Sequence, residues 1–227
     1  MEPSALLVGI GILYGVNVDM LEHSFRRLPE WGPVLTMGFH VGACSFVAAG
    51  LSARFSFSQV ALEAESFWMV EQGPLSSTEM LQAKVRSSAL LVVGFPILLC
   101  AFASLFMPFS VFQRIASVTI VTFTAWQLVK QAVGMGAIGP RFDAATVMEA
   151  TMGAAALSTM AWGISMAFWS TTWAVTSLLL SKTFGLGNSV FALCALPWAA
   201  GLWWRGKRSQ RKGVDALEHR RLFPQAV

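Results

Sequence analysis

Few residues of this chain could do chemistry in an apolar setting, and His40 is the most interior of them. Met37 lies about one turn before it and Cys44 one turn after, so on a helix the three share a face. An imidazole placed this way could be an axial ligand to a haem or a chlorophyll, or a hydrogen-bonded contact between helices. A haem held by two histidines needs a second His within the apolar part. His23 and His219 belong instead to a loop end and to the C-terminal tail. The sequence therefore predicts no metal and no prosthetic group, with His40 kept as the candidate ligand should a cofactor be shared with another subunit.

The remaining ionisable candidates sit at the ends of apolar runs. Asp19, Glu22 and His23 close the first run, Arg114 opens the fourth and Glu149 opens the fifth. A paired Arg and carboxylate could relay protons, but both positions are at head-group level, where charge is cheap to keep. Cys44, Cys100 and Cys194 all fall in apolar runs and read as small buried residues rather than as redox or metal groups. Enzyme motifs are missing: there is no Gly-x-Ser-x-Gly, no His-Glu-x-x-His, no Cys-x-x-Cys and no glycine-rich phosphate loop. The glycines of 134–139 lack the strand that a nucleotide fingerprint requires and read as a flexible turn.

The elements that must hold these residues follow from charge scarcity. In 227 residues there are 16 Lys and Arg against 12 Asp and Glu, and 55% of the chain is hydrophobic. That is about half the charge of an average soluble protein, too little to coat a globule of this size. A membrane helix needs about 20 mostly apolar residues. The uncharged runs predict an all-α polytopic membrane bundle of about six transmembrane helices, near 4–20, 34–53, 87–108, 112–132, 150–181 and 187–204. An amphipathic surface helix is expected near 58–72, and a basic tail over 205–227. Ser76 and Glu79 have capping-box spacing and should start the helix that becomes the third span, which Pro96 should kink rather than end.

With both termini on one side, the opposite side receives only Arg26, Arg27, Arg114 and Lys182 of the 16 cations. The positive-inside rule then places both termini in the matrix of a mitochondrion or, alternatively, in the cytoplasm of a bacterium with the chain in the plasma membrane.

Small residues at four-residue spacing let helices approach closely. Gly11 with Gly15 and Gly38 with Gly42 are such pairs, and Ala155, Thr159, Gly163, Ala167 and Thr171 form the longest ladder, a candidate helix interface. Trp162, Trp169 and Trp173 make a stripe that would face lipid or another subunit, or simply fill the bundle. Trp198, Trp203 and Trp204 form a belt, followed at once by Arg205, Lys207, Arg208, Arg211 and Lys212. Trp203, Trp204 and these five cations are candidate contacts for anionic head groups such as those of cardiolipin. The basic residues are not interleaved with aromatics on a soluble face, so nucleic acid is not an expected partner.

The identifying residues of cytochrome anchors, rotary-ATPase stators and small transporters are not matched. Three expectations follow from a bundle with so little buried charge. The first is a non-catalytic accessory subunit of a respiratory complex or ATP synthase in the mitochondrial inner membrane, a supernumerary component with other membrane subunits and phospholipid as partners. The second, held behind it, is a small transporter or channel, and a haem- or pigment-binding subunit acting through His40 comes third.

Overall fold

The computed structural model describes residues 32–66, 76–138, 154–184 and 188–222 continuously, together with Gly9, Ile12, Tyr14, Gly15, Val16, Met20, His23, Gly73 and Pro74. Among the described residues the chain is all helical, without a strand. Five long helices form the bundle: α1 (Gly32–Leu51), α2 (Ser77–Phe106), α3 (Val111–Ile138), α4 (Ala154–Phe184) and α5 (Asn188–Leu222). The described positions between Gly9 and His23 are helical too.

Among the described residues three helices are long and apolar enough to cross a membrane: Gly32–Gln59, Ser77–Phe106 and Ala156–Leu180. Their outer faces carry large apolar side chains in the open. Leu90 is 85% exposed, and Leu98, Phe102, Leu105 and Phe106 continue that side of α2, while Phe39 and Phe46 stand outward on α1. A patch of this extent is stable only against lipid or protein. α3 and the first part of α5 occupy the stretches where spans are expected near 112–132 and 187–204. The expected first span falls mostly outside the described residues, and the flexible turn expected at the glycines of 134–139 is instead helix as far as Ile138, because Gly134 and Gly136 pack inside α3.

Local chemistry sets the helix ends. Ser76 caps α2: its side chain accepts from the backbone N–H of Glu79 at 3.2 Å, and the Glu79 carboxylate accepts from the backbone N–H of Ser76 at 2.9 Å. The spacing predicts this pair, and both halves are made. α2 runs through Pro96 and stops where Met107 turns extended, as a residue before proline prefers. A second capping box follows at once, unremarked in the sequence reading: Ser110 and Gln113 exchange bonds of 2.9 and 3.3 Å and start α3.

Beyond Leu51 the chain does not end its helix but changes pitch, through a wide π turn at Ser52–Ser56 and tight 3₁₀ turns at Phe57–Gln59 and Ala61–Ser66. Val60 and Ala61 are buried there. The rest of the surface helix expected over 58–72 lies outside the described residues. Lys84 of α2 pairs with Glu63, tying this segment to the start of α2.

Helix directions alternate. Gly38, Gly42 and Ala49 of α1 meet Val175, Thr171 and Gly163 of α4 in reversed order, so these two run antiparallel. Gln127 and Gly134 of α3 meet Gly206, Ser209 and Gly213 of α5, so those two run parallel. The close of α1, the starts of α2 and α4 and the closes of α3 and α5 therefore share one end of the bundle. α3 is its axis, packed against every other long helix.

Candidate functional site

α1 and α2 build the polar centre of the bundle. His40 is 1% exposed, and each of its ring nitrogens has a side-chain partner: Nδ1 bonds the Tyr14 hydroxyl and Nε2 lies 3.2 Å from Cys100 Sγ. Cys44, one turn along α1, donates its S–H toward the Tyr14 oxygen at 3.6 Å. The Phe109 ring closes one side at 5.6 Å from the imidazole. Both cysteines are free thiols and fully buried. The ligand-capable atoms of His40, Cys44 and Cys100 all lie within 4.8 Å of one another. A nitrogen and two sulfurs gathered in this way are the donor set of a soft metal ion.

The shared face of His40 and Cys44 is visible in the sequence. Cys100 joins them only because α2 runs antiparallel to α1, and Tyr14, the sole tyrosine of the chain, arrives from the N-terminal segment. The reading of Cys44 and Cys100 as packing residues missed this convergence. A usable signal was present: a His and a Cys one turn apart, with a second Cys in another apolar run.

A second polar cluster joins α3, α4 and α5. Ser170 is hydrogen-bonded to Thr124 at 3.0 Å and accepts from the Trp198 indole N–H at 3.3 Å, while its own hydroxyl also reaches the Met166 carbonyl. Trp198 stacks on Trp173 with centroids 4.8 Å apart and tilts against Phe123. Trp198 is thus a core residue, not the first member of an interfacial belt.

The other predicted positions are placed as follows. Thr159, Gly163 and Ala167 are buried on α4, Gly163 facing Ala49, and Thr171 faces Gly42. The side chain of Ala155 lies outside the described residues. Trp203 and Trp204 are about half exposed. Arg205 lies over the Trp162 ring at 5.0 Å, Lys207 over Trp203 at 4.6 Å and Arg208 over Trp204 at 5.1 Å, and Arg211 and Lys212 are exposed. The basic stretch continues α5 without a break as far as Leu222. Its inner stripe of Leu202, Gly206, Ser209, Gly213 and Leu217 is buried. Arg114 begins α3, and Asp19, Glu22 and Glu149 lie outside the described residues.

Comparison with known proteins adds one match. Residues 3–184 match the family described as "Putative ATP-binding cassette". No curated protein and no solved structure matches the chain. The family match overturns the expectation of a non-catalytic accessory subunit, and with it the expectation that the protein has no enzymatic role, because the family is an ATP-binding one. It gives no support to a respiratory-chain, ATP synthase or cardiolipin setting. Scarcity of buried charge suggested a packing surface, since an ion-driven machine needs charges within the bilayer. A system driven by ATP draws its energy outside the bilayer and has no such need. With four-fifths of its length matched, the chain belongs to this ATP-binding cassette family.

Proposed function

We propose that this chain is the membrane-spanning part of an ATP-driven transporter. The observation that carries the reading is where the family match falls: residues 3–184 take in α1 to α4, including the three helices long and apolar enough to cross a membrane. The 227 residues contain no glycine-rich phosphate loop, so the phosphates of ATP would be held by a segment or partner that has one. The end of the bundle where Arg54, Lys84, Lys130 and the cations of α5 collect is the natural side for that nucleotide-binding unit, because positive loops are retained on the side where ATP is made available. At the same end the exposed pairs Lys207 with Trp203 and Arg208 with Trp204, together with Arg205, Arg211 and Lys212, would rest on anionic phospholipid head groups.

Purification from native membranes in mild detergent tests the reading. Co-purification of an ATP-hydrolysing unit, with ATPase activity that rises when the two are reconstituted together in vesicles, is the expected result. A chain that migrates alone and whose vesicles transport without ATP would overturn it.

A further inference from the structure

The Tyr14, His40, Cys44 and Cys100 cluster lies in the middle of the bundle, and driving transport with ATP does not require it. From its geometry we infer that His40 Nε2, Cys44 Sγ and Cys100 Sγ form a zinc-binding site, with the Tyr14 hydroxyl as the group that orients the histidine. Three observations on different elements converge on this. The donors are of the right type, since thiolate sulfur and imidazole nitrogen together select d10 ions such as Zn(II). They are close enough: a tetrahedral zinc with ordinary bond lengths sets its donors about 3.5–3.8 Å apart. Here the three lie within 4.8 Å, and His40 Nε2 is already 3.2 Å from Cys100. In the tautomer protonated at Nδ1 the histidine is held as a ligand would be, with that N–H on the Tyr14 oxygen and the Nε2 lone pair facing Cys100 Sγ.

Charge chooses the ion. On binding, the two S–H bonds break, two zinc–sulfur bonds form, and both protons leave to water. Two thiolates and one neutral imidazole then balance Zn(II) to zero net charge, which a site of low dielectric requires. Cu(I) in the same set would leave one negative charge buried. Bound zinc would clip α1 to α2 through thiols that are otherwise held only by weak hydrogen bonds.

The test is metal analysis of the full chain, purified from membranes of zinc-supplied cells in detergent and thiol reductant without chelator. One zinc per chain is expected, with sulfur and nitrogen in the first shell of its X-ray absorption spectrum. Cells supplied with cobalt should give a chain with thiolate-to-cobalt charge-transfer absorption. Cys44→Ser and Cys100→Ser should each lower the metal content at least about tenfold, and Tyr14→Phe should weaken retention against a chelator about ten- to a hundredfold. Ser170→Ala, in the other polar cluster, should keep the full equivalent. Should a cysteine variant fail to fold, the wild-type stoichiometry and sulfur shell decide the matter. Wild-type protein without zinc, zinc bound with no sulfur in its shell, one copper in place of zinc, or a chain whose Cys44 and Cys100 resist alkylation when unfolded without reductant, and so form a disulfide, would each overturn the assignment.

Discussion

The bundle has two buried centres built on opposite plans. Around His40, polar side chains are brought into the core and satisfied by one another, so that Tyr14, Cys44 and Cys100 each use their polar atom on the cluster. Between α3 and α5, side chains are removed instead and backbones touch. A Cβ on Gly134 would sit 2.5 Å from the Ser209 carbonyl oxygen, and one on Gly213 would sit 2.7 Å from the Gly134 carbonyl oxygen. Ser209 donates its hydroxyl to the Gln131 carbonyl at 3.0 Å. In lipid there is little hydrophobic gain from pressing helices together, so close packing and hydrogen bonds must do it. The comparison teaches that the first centre depends on chemical identity and tolerates small changes of shape. The second depends chiefly on shape, with the Ser209 hydroxyl adding a side-chain hydrogen bond.

Adding a methyl group should therefore do most harm where backbones touch, at the seam and at the like contact of Gly136 with the segment beyond α1. A Cβ on Gly136 would overlap the Phe57 carbonyl oxygen, which is backbone and cannot turn aside. Gly136→Ala is expected to cost about 3 kcal/mol, at the high end for overpacking, read as a shift of the unfolding midpoint in mixed detergent micelles. A loss below about 1 kcal/mol would show that this backbone contact has slack. Next comes Tyr14→Phe, which keeps the ring and leaves His40 Nδ1 without its partner. About 1–2 kcal/mol is expected for a buried polar group so orphaned, and an unchanged midpoint would mean that chemical identity does not matter there. Ser170→Ala removes the shared partner of Thr124 and Trp198 and should cost about 1 kcal/mol, in the range measured for hydrogen bonds between membrane helices. Gly206→Ala should cost less than Gly136→Ala, about 1 kcal/mol, because the atom in the way is the far end of the Gln127 side chain. The smallest effect belongs to the outer face: Leu98→Ala should change stability by about 0.5 kcal/mol or less, and a larger loss would place a protein partner on that face.

The comparison also shows what a linear sequence can carry. The all-helical membrane architecture is legible because scarce charge and long apolar runs are properties of single segments, and the Ser76 and Glu79 cap is legible because both partners lie within one turn. The polar centre is only half legible. His40 and Cys44 declare a shared face, but Cys100 reaches them from 60 positions away, through a helix direction that no local pattern specifies. Trp198 reads as part of a belt because tryptophan favours the membrane interface, but its indole N–H found Ser170 on α4 and was drawn into the core. The role of the whole was misjudged for a related reason. An energy source outside the bilayer leaves no mark on the charge of the helices that use it.

One property of α5 bears on how such a source could act. It is 35 residues long, about 52 Å, against a hydrocarbon layer of about 30 Å. Pro197 deprives it of one backbone hydrogen bond, and beyond that point it is an unbroken rod of about 38 Å. In mechanical terms this is a lever whose pivot adjoins the stacked Trp198 and Trp173. A swing of about 10° at the pivot carries the cationic tip through about 6–7 Å. The glycine seam packs α5 closely on α3, so under the proposed function the two helices would turn together. A push delivered at the charged end would then reach the bundle axis as a rotation of matched helices rather than as the bending of one.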